Sequence, residues 1–256
     1  MKKNSFAGQN VWITGASTGI GRAVSIELAR RGARLAVTAR NEARLQALVK
    51  ELEGEGHLVA PADLCDRQAN LTAVEKIVAD FGTIDIALFN AGNAQYVDIK
   101  NFDSRLFEDI IKINFMSMVY GIEAVLPVLR SSKHPHLVGM SSTAGYLGMP
   151  RSEAYGASKA AVRNMLQALR ISLVPEKIPV SIVCPGFVKT PLTDKNDFPM
   201  PMIIEADRAA EIIADGIEKQ KEEISFPFIF AMLMKLIASL PSSWQTRIVT
   251  KIINPK

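Results

Sequence analysis

The fold of this chain is decided by the stretch Thr14-Gly15-Ala16-Ser17-Thr18-Gly19-Ile20-Gly21. It lies between an apolar run, residues 11–14, and an amphipathic stretch, residues 20–31, which predict a β-strand followed by an α-helix. Glycines in such a loop permit a tight turn and a close approach of the backbone to a pyrophosphate. Free N–H groups at the helix N-terminus stabilise the phosphate charge. A plain tight turn is the alternative, and the position of the loop in the first βαβ unit favours phosphate binding.

Strand-like and helix-like stretches alternate along the rest of the chain. The predicted strands are residues 11–14, 34–38, 57–60, 84–90, 136–141 and 179–184, with 223–226 as a candidate for a short last strand. The predicted helices are residues 20–31, 42–53, 67–81, 102–130, 153–173 and 205–220. This alternation predicts an α/β fold with one domain over residues 1–256: a doubly wound Rossmann fold whose parallel sheet has six to seven strands and helices on both faces.

Composition excludes several classes of protein. The chain has a net charge of +4, and its basic residues are scattered, which argues against nucleic-acid binding. Cys65 and Cys184 show no pairing pattern, so we expect a reducing, cytoplasmic compartment. The three histidines show no spacing typical of a metal site beyond one pair, and we expect none. The N-terminus contains no apolar segment of the kind found in secretory signals.

The residues that follow the second predicted strand indicate which dinucleotide the loop would bind. An acidic residue there accepts hydrogen bonds from the ribose hydroxyls of NAD, but residues 38–41 contain none before Glu42. Arg40 is suited to a charge-assisted bond with the 2′-phosphate of NADP, and Ser17 and Arg22 are candidates to assist. We therefore expect NADP(H) to be favoured over NAD(H); a solvated arginine at a helix start is the alternative.

Tyr155 and Lys159 share one face of the predicted helix 153–173, because residues at i and i+4 lie one above the other. Lowering a tyrosine pKa by about three units takes roughly 4 kcal/mol. A unit charge ~4 Å away supplies an energy of that order at an effective dielectric of about 20. The pair is thus a candidate general acid/base; a half-buried helix face with a snorkelling lysine is the alternative.

Taken together, the motifs resemble those of the short-chain dehydrogenase/reductase family over roughly residues 8–225. Residues 14–21 match its TGxxxGxG motif and residues 155–159 its YxxxK motif. The resemblance implies four catalytic residues: Asn114, Ser142, Tyr155 and Lys159. It implies cofactor contacts from Gly15, Ser17, Thr18, Gly19, Ile20, Gly21, Arg40, Asp63, Leu64, Asn90, Ala91, Gly92, Tyr155, Lys159, Pro185, Gly186, Val188 and Thr190.

Three further positions have alternatives. Asp63 lies close to the start of the predicted helix 67–81, so its alternative role is that of a residue at a helix N-terminus. Asn114 lies in an apolar run and, once buried, must satisfy its polar atoms, which is compatible with a purely structural role. Ser141 neighbours Ser142, and only one of them can be the catalytic serine. Ser142 lies thirteen residues before Tyr155, which is the spacing of the catalytic serine in the family.

The resemblance implies an NADP(H)-dependent oxidoreductase that transfers a hydride between the nicotinamide and a carbonyl or secondary alcohol. Tyr155 would donate the proton, and Ser142 would hydrogen-bond the same substrate oxygen. Lys159 would lower the tyrosine pKa and hold the nicotinamide ribose, and Asn114 would anchor a water in a proton relay. A non-catalytic NADP-binding regulatory or interaction protein on the same fold is the alternative.

The substrate side is less defined by the sequence. Candidate lining residues are Asn93, Ala94, Tyr146, Leu147, Met149, Phe187 and the loop 191–202. That loop is apolar and methionine-rich, so we expect a lid over a lipophilic small molecule, with an ordinary packed loop as the alternative.

Residues 226–256 form an apolar C-terminal extension that departs from much of the family. Fifteen helical residues span only ~22 Å, against a hydrocarbon core of ~30 Å, so we expect no transmembrane helix. Three interpretations stay open: a cap on the substrate pocket, a subunit contact, or a peripheral membrane contact through residues 226–248. The resemblance also implies a homodimer or homotetramer.

Overall fold

The computed structural model describes residues 4–253; the predicted domain also included residues 1–3 and 254–256, which lie outside this range. The strands are β1 Asn10–Thr14, β2 Arg34–Thr38, β3 Leu58–Val59, β4 Ile86–Phe89, β5 His136–Met140, β6 Val180–Pro185, β7 Val188–Lys189, β8 Ile204–Glu205 and β9 Glu223–Phe226. The helices are α1 Gly19–Arg30, α2 Glu42–Val49, α3 Arg67–Phe81, α4 Ser104–Ile111, α5 Ser117–Leu129, α6 Glu153–Ser172, α7 Ala206–Glu218, α8 Phe228–Ala238 and α9 Ser242–Ile253.

One parallel sheet of seven strands forms the centre of the molecule, in the order β3-β2-β1-β4-β5-β6-β9. The chain begins at β1, adds β2 and β3 on one side, and then crosses back to place β4 on the other side of β1. The strand order therefore reverses between β1 and β4, which is where open α/β sheets bind ligands. The predicted doubly wound fold is confirmed, with seven strands.

Helices cover both faces of the sheet. Alternate residues of β1 point to opposite layers: Val11 and Ile13 pack with α1, α2 and α7, whereas Trp12 packs with α3, α5 and α6. Burial of each large apolar side chain contributes on the order of 1.5–3 kcal/mol, so these two layers hold the sheet in place. Trp12 also donates from Nε1 to Thr38 Oγ1 at 2.8 Å, which satisfies its buried indole N–H.

The structure departs from the predicted elements in several places. α2 ends at Val49 and not at residue 53, and β4 covers Ile86–Phe89 and not residues 84–90. The predicted helix 102–130 begins at Ser104 and contains one π-helical turn, Lys112–Met116, between α4 and α5; such a turn widens a helix without ending it. The third strand is shorter than predicted and covers only Leu58–Val59. β7 and β8 pair as a separate two-stranded parallel sheet that the sequence did not predict, because two-residue strands carry no readable periodicity.

The stretch Ser104–Leu129 is long and apolar enough, by length and composition alone, to cross a membrane. It contributes Met118, Ile122 and Val125 to the core beneath the sheet. Core helices of this composition meet the same criteria, and its packing here assigns it to the core. α8 is a shorter apolar helix of 11 residues.

Candidate active site

A cleft opens at the carboxyl ends of β1, β4, β5 and β6, beside the point where the strand order reverses. Its volume is about 890 Å³. Among the residues predicted from the sequence, its walls include Gly15, Ser17, Thr18, Gly19, Ile20, Arg40, Asp63, Leu64, Asn90, Ala91, Gly92, Ser142, Tyr155, Lys159, Pro185, Gly186, Val188 and Thr190. Gly21 and Asn114, also predicted, lie behind these walls.

The glycine loop is interlocked with the strand beside it. Gly15 has φ of +66°, and a Cβ at this position would lie 2.7 Å from the Cα of Ala91. Asn90 Nδ2 donates to the backbone oxygens of Thr14 and Gly15 at 3.2 and 3.1 Å. A Cβ at Gly21 would overlap the Gly15 oxygen and the Asn90 amide. Glycine at 15 and 21 is therefore required for the close packing that shapes the loop.

The N-terminus of α1 supplies backbone donors to the cleft. Its N-cap residue, Thr18, makes no side-chain hydrogen bond to the first turn, and Thr18, Gly19 and Ile20 all line the cleft. Helices leave their first N–H groups without intrahelical partners, and the helix dipole adds partial positive charge there. An anionic pyrophosphate fits this end of the cleft.

The cleft is also lined by Arg40 and Arg44, both exposed. Neither forms an ion pair with any residue between 4 and 253. Asn41 caps α2 by accepting a hydrogen bond from the Arg44 N–H at 3.0 Å, which fixes the start of that helix beside the cleft. Arg22, the other arginine considered from the sequence, pairs instead with Glu51 at 2.5 Å and borders a smaller adjoining pocket.

Asp63 and Leu64 also line the cleft. Asp63 Oδ1 accepts a hydrogen bond from the Cys65 N–H at 3.0 Å, which shapes the turn after β3. The N-cap of α3 is Asp66, whose side chain accepts from Gln68 N at 2.8 Å. The alternative role of Asp63 at a helix N-terminus thus belongs to Asp66.

Tyr155, Lys159 and Ser142 converge on the same part of the cleft. The first two lie on α6, and Ser142 follows β5. Ser142 Oγ accepts from Ala144 N at 3.1 Å and donates to Pro185 O at 3.4 Å. The neighbouring Ser141 hydroxyl donates to the Lys159 backbone oxygen at 2.8 Å, so it ties β5 to α6. Of the two serines, Ser142 is the one that acts on the Tyr155 phenol, whose pKa it lowers.

The two titratable groups on α6 are perturbed mainly by burial. Burial raises the pKa of the Tyr155 phenol, and the hydrogen bond with Ser142 offsets this only in part. Burial lowers the pKa of Lys159 to about 8. Lys159 Nζ donates to Met140 O at 3.0 Å and lies 5.8 Å from the centre of the Tyr155 ring. The net shift of the tyrosine pKa is upward, opposite to the shift expected from the pairing with Lys159, because burial is the largest effect on the phenol.

Asn114 is completely buried within the π-helical turn. Its Oδ1 accepts from Asn93 N at 2.7 Å, and its Nδ2 donates to Asn93 O and Ser158 Oγ, both at 2.9 Å. These bonds satisfy the amide and fasten the loop after β4 to α6. Gly92 lies between Asn114 and Lys159: a Cβ there would be 3.1 Å from Asn114 Oδ1 and 3.3 Å from Lys159 Nζ. The proton relay through Asn114 stays a prediction.

Comparison with known proteins identifies this arrangement. A family model described as short chain dehydrogenase matches residues 9–199. The chain belongs to the short chain dehydrogenase family. It is 36% identical over 232 residues to an uncharacterized oxidoreductase of Myxococcus xanthus, covering 90% of this chain and 92% of the relative. It is 33% identical over 253 residues to the 11-beta-hydroxysteroid dehydrogenase-like protein 4A of Arabidopsis thaliana, covering 91% of this chain and 81% of that protein.

A solved structure shares the fold of this short chain dehydrogenase. It is a short chain dehydrogenase/reductase from Burkholderia phymatum in complex with NAD, with a TM-score of 0.83. The two chains are 22% identical, and the match covers 91% of this chain and 93% of the other. Family and relatives together make the protein an oxidoreductase of the short chain dehydrogenase type.

The substrate side of this short chain dehydrogenase differs in part from the prediction. Asn93 and the start of the loop 191–202 line the cleft. Tyr146 and Leu147 do not; they pack against α8 and α9, and the Tyr146 hydroxyl donates to Glu223 Oε1 at 2.8 Å. Aromatic rings form a row nearby, with successive centres 5.6 to 6.1 Å apart, in the order Tyr96, Phe198, Phe187 and Phe230. The last of these belongs to α8, and its ring lies beside Gly186, which lines the cleft.

Several cleft residues were not predicted from the sequence, among them Ala39, Asn41, Arg44, Ala62, Cys65, Ile113, Ser117 and Met140. Arg44 could have been predicted from the sequence, since it follows Arg40 by four residues at the start of a predicted helix. The small and apolar residues could not, because only the packing of neighbouring strands brings them to the cleft. Within residues 4–253, no group of three or more His, Cys, Asp or Glu side chains is arranged to hold a metal ion.

Proposed function

We propose that this protein is an NADP(H)-dependent oxidoreductase that transfers a hydride between the nicotinamide and a carbonyl or secondary alcohol, with Tyr155 as general acid/base. The observation that carries the proposal is the convergence of Tyr155, Ser142 and Lys159 in one cleft with the glycine loop. A protein that only senses a dinucleotide has no need of this set, so the non-catalytic alternative is disfavoured.

The cleft fits a dinucleotide. The uncapped first turn of α1, at Thr18 and Gly19, suits the pyrophosphate. Asp63 lines the same cleft, and the family resemblance implies that it contacts the adenine. Val188 and Thr190 also line the cleft, and the family resemblance implies that they contact the nicotinamide carboxamide. When bound, the nicotinamide supplies or accepts the hydride. The side chains of the protein orient the substrate and move the proton.

Tyr155 is equipped to hold a proton at neutral pH, because burial raises its pKa. It can give that proton to a substrate oxygen on which negative charge develops. The Ser142 donor bond to Pro185 O is long, at 3.4 Å, and can be exchanged for a stronger bond to that oxygen. Below about pH 8 Lys159 carries a positive charge, which favours the phenolate left on Tyr155.

The choice of NADP(H) over NAD(H) is supported by Arg40 and Arg44, two exposed guanidiniums that line the cleft without ion-pair partners among the described residues. Guanidinium groups bind phosphate oxygens through two parallel hydrogen bonds. The Burkholderia phymatum protein was solved with NAD. At 22% identity that likeness concerns the fold, and it leaves the choice of cofactor to the residues of this chain.

A lipophilic substrate is supported by the aromatic row that ends at Phe230 on α8. The name of the Arabidopsis thaliana relative refers to a hydroxysteroid, which is a substrate of the same apolar kind. We further propose a cytoplasmic homodimer or homotetramer, as the family resemblance implies.

The proposal is tested by following NADPH consumption with a panel of lipophilic ketones, aldehydes and quinones. Tyr155→Phe should lower turnover by about 10²–10⁴-fold, the usual value of general acid catalysis, while retaining NADPH binding. Tyr146→Phe is the matched control, since it removes a phenol that lies outside the cleft. Equal turnover in wild type and Tyr155→Phe would refute the assignment. Binding of NADPH without turnover of any compound would favour the non-catalytic alternative.

A further inference from the structure

The outer face of α8 is apolar and has no partner in the described part of the chain. Five large side chains on this face are between 48% and 70% exposed: Phe228, Ile229, Met232, Leu233 and Leu236. Their spacing places them side by side along one half of the helix. Apolar patches of this kind on a folded protein mark sites of interaction with another molecule or with a membrane.

The inner face of α8 holds the helix firmly in place. Ala231 and Met234 are buried, and Met234 packs in a cluster with Leu147 and Val249 of α9. The ring of Phe230 lies 5.6 Å from that of Phe187. Because one face of α8 is fixed by these contacts, the apolar outer face is a permanent part of the surface.

The charge of this region has a single sign. The last 33 residues, 224–256, contain no Asp or Glu and four basic residues, Lys235, Arg247, Lys251 and Lys256. Lys235 pairs with Glu223, whereas Arg247 and Lys251 form no ion pair with any residue in 4–253.

The exposed face of α9 combines these charges with an interfacial anchor. Trp244, Arg247, Lys251 and Ile252 are all exposed and share one face of this helix at helical spacing. Tryptophan prefers the boundary between lipid headgroups and acyl chains, and lysine and arginine are attracted to anionic headgroups.

We propose that α8 and α9 form a docking surface for an anionic lipid bilayer, on which both helices lie in the plane of the headgroups. The 11 residues of α8 span about 16 Å, half of a hydrocarbon core of about 30 Å, so the helix cannot cross the bilayer. A helix with an exposed apolar face next to basic residues is typical of such interfacial binding. The docking surface is independent of the chemistry proposed for the cleft.

The charge distribution favours a bilayer over a second copy of this chain. A twofold interface brings the same patch of both subunits together. Here it would place Arg247 and Lys251 of one copy near the same cations of the other, without an acidic residue in 224–256 to neutralise them. An anionic bilayer instead neutralises all of them and buries the apolar face.

Flotation of the full-length protein with vesicles tests the docking surface. Phosphatidylcholine vesicles with and without phosphatidylglycerol are compared at low and high salt. Wild type should float with the anionic vesicles, and less with neutral vesicles or at high salt. Leu233→Ser with Leu236→Ser should weaken binding by about tenfold or more, because two apolar side chains are lost from the surface. Arg247→Gln with Lys251→Gln should remove most of the preference for phosphatidylglycerol.

A matched control comes from α6 and the turn after it, where Ile171 and Val174 are 75% and 68% exposed. Ile171→Ser with Val174→Ser should float like wild type. Failure of wild type to float, or equal loss in this control, would overturn the proposal. A second result would also overturn it: the wild type does not bind vesicles, and the α8 substitutions convert an oligomer into a monomer. The apolar face would then join two copies of the chain. NADPH turnover is measured in parallel, so that a failure of the docking surface can be distinguished from a failure of the proposed oxidoreductase function.

Discussion

Two arginines that line the cleft, Arg40 and Arg44, expose guanidiniums that pair with no described residue. A hydrogen bond to a charged group contributes about 1.5–3 kcal/mol. We predict that Arg40→Ala lowers kcat/KM for NADPH by about 10- to 100-fold and leaves NADH almost unchanged. Arg44→Ala should act in the same direction.

The matched control for the arginines is Arg105→Ala, which removes an exposed guanidinium of α4 that lies outside the cleft walls. Steady-state kinetics with both cofactors measure the effect. A preference of the wild type for NADH, or an equal loss with both cofactors, would contradict a role in binding the 2′-phosphate.

The pair Tyr155 and Lys159 shows what a sequence can and cannot predict about single residues. Spacing alone placed both on one helix face, and the structure has them on α6 in the same cleft. The sign of the tyrosine pKa shift was not predictable. It depends on how far the surrounding strands exclude water and on the turn of Lys159 towards Met140 O, and neither is encoded in a five-residue motif.

Glu223, at the start of β9, forms a polar connection between α8 and the rest of the molecule. It pairs with Lys235 of α8, accepts a hydrogen bond from the Tyr146 hydroxyl, and lies 3.5 Å from Arg163. These bonds hold its pKa below the usual value, although burial opposes them. The half-buried carboxylate therefore links β9, α6 and α8.

We predict that Lys235→Met loosens α8 without unfolding the sheet, because it removes the ion pair on the helix itself. An ion pair this exposed contributes on the order of 1 kcal/mol or less, so the loss should be local. Hydrogen exchange of the α8 amides should become faster while exchange in β4 and β5 stays unchanged. Lys251→Met on α9, a lysine without an ion pair among the described residues, should leave α8 as in wild type. Unchanged exchange in both variants would show that apolar packing alone holds the helix.

At the scale of elements, long periodic segments were predictable and short or irregular ones were not. Strand β4 could be recognised because every residue of it is apolar and buried on both faces. The π-helical turn, Lys112–Met116, could not, because its residues continue the helical pattern on either side. β7 and β8 are held together by pairing between distant parts of the chain, Val188 with Ile204 and Lys189 with Glu205. Contacts of this kind leave no local signal.

We expect the stability of the whole molecule to depend on pH through a histidine in the central sheet. His136 begins β5, is 2% exposed, and its Nε2 lies 2.8 Å from Ser181 Oγ. The Ser181 hydroxyl donates to Lys221 O at 2.6 Å, so its oxygen is left to accept a hydrogen bond from a neutral imidazole. Burial lowers the pKa of His136 from its usual value near 6.5 to about 4.

The direction of the pH effect follows from that shift. Between pH 6.5 and 4 the unfolded chain binds a proton at His136 that the folded protein does not, so protonation favours unfolding as the pH falls. A shift of about 2.5 units corresponds to about 3 kcal/mol, lost progressively through this window and complete below about pH 4. We predict that His136→Gln, which stays neutral at every pH, removes this part of the acid sensitivity.

Denaturant unfolding of wild type and His136→Gln at a series of pH values measures the difference directly. Carboxylates also titrate in this range, but they do so equally in both proteins, so the difference between the two curves isolates the histidine. The variant should be less stable than wild type at neutral pH, because glutamine does not fill the space of the buried imidazole. The difference between the two free energies of unfolding should shrink by about 3 kcal/mol as the pH falls from 6.5 to 4. His134→Gln, at an exposed position two residues away, should follow the wild-type curve throughout. If the difference in free energy of unfolding between wild type and His136→Gln stays constant with pH, the prediction is wrong. The folded protein would then bind the proton at His136 as readily as the unfolded chain, and the centre of the sheet would accommodate a charged imidazole.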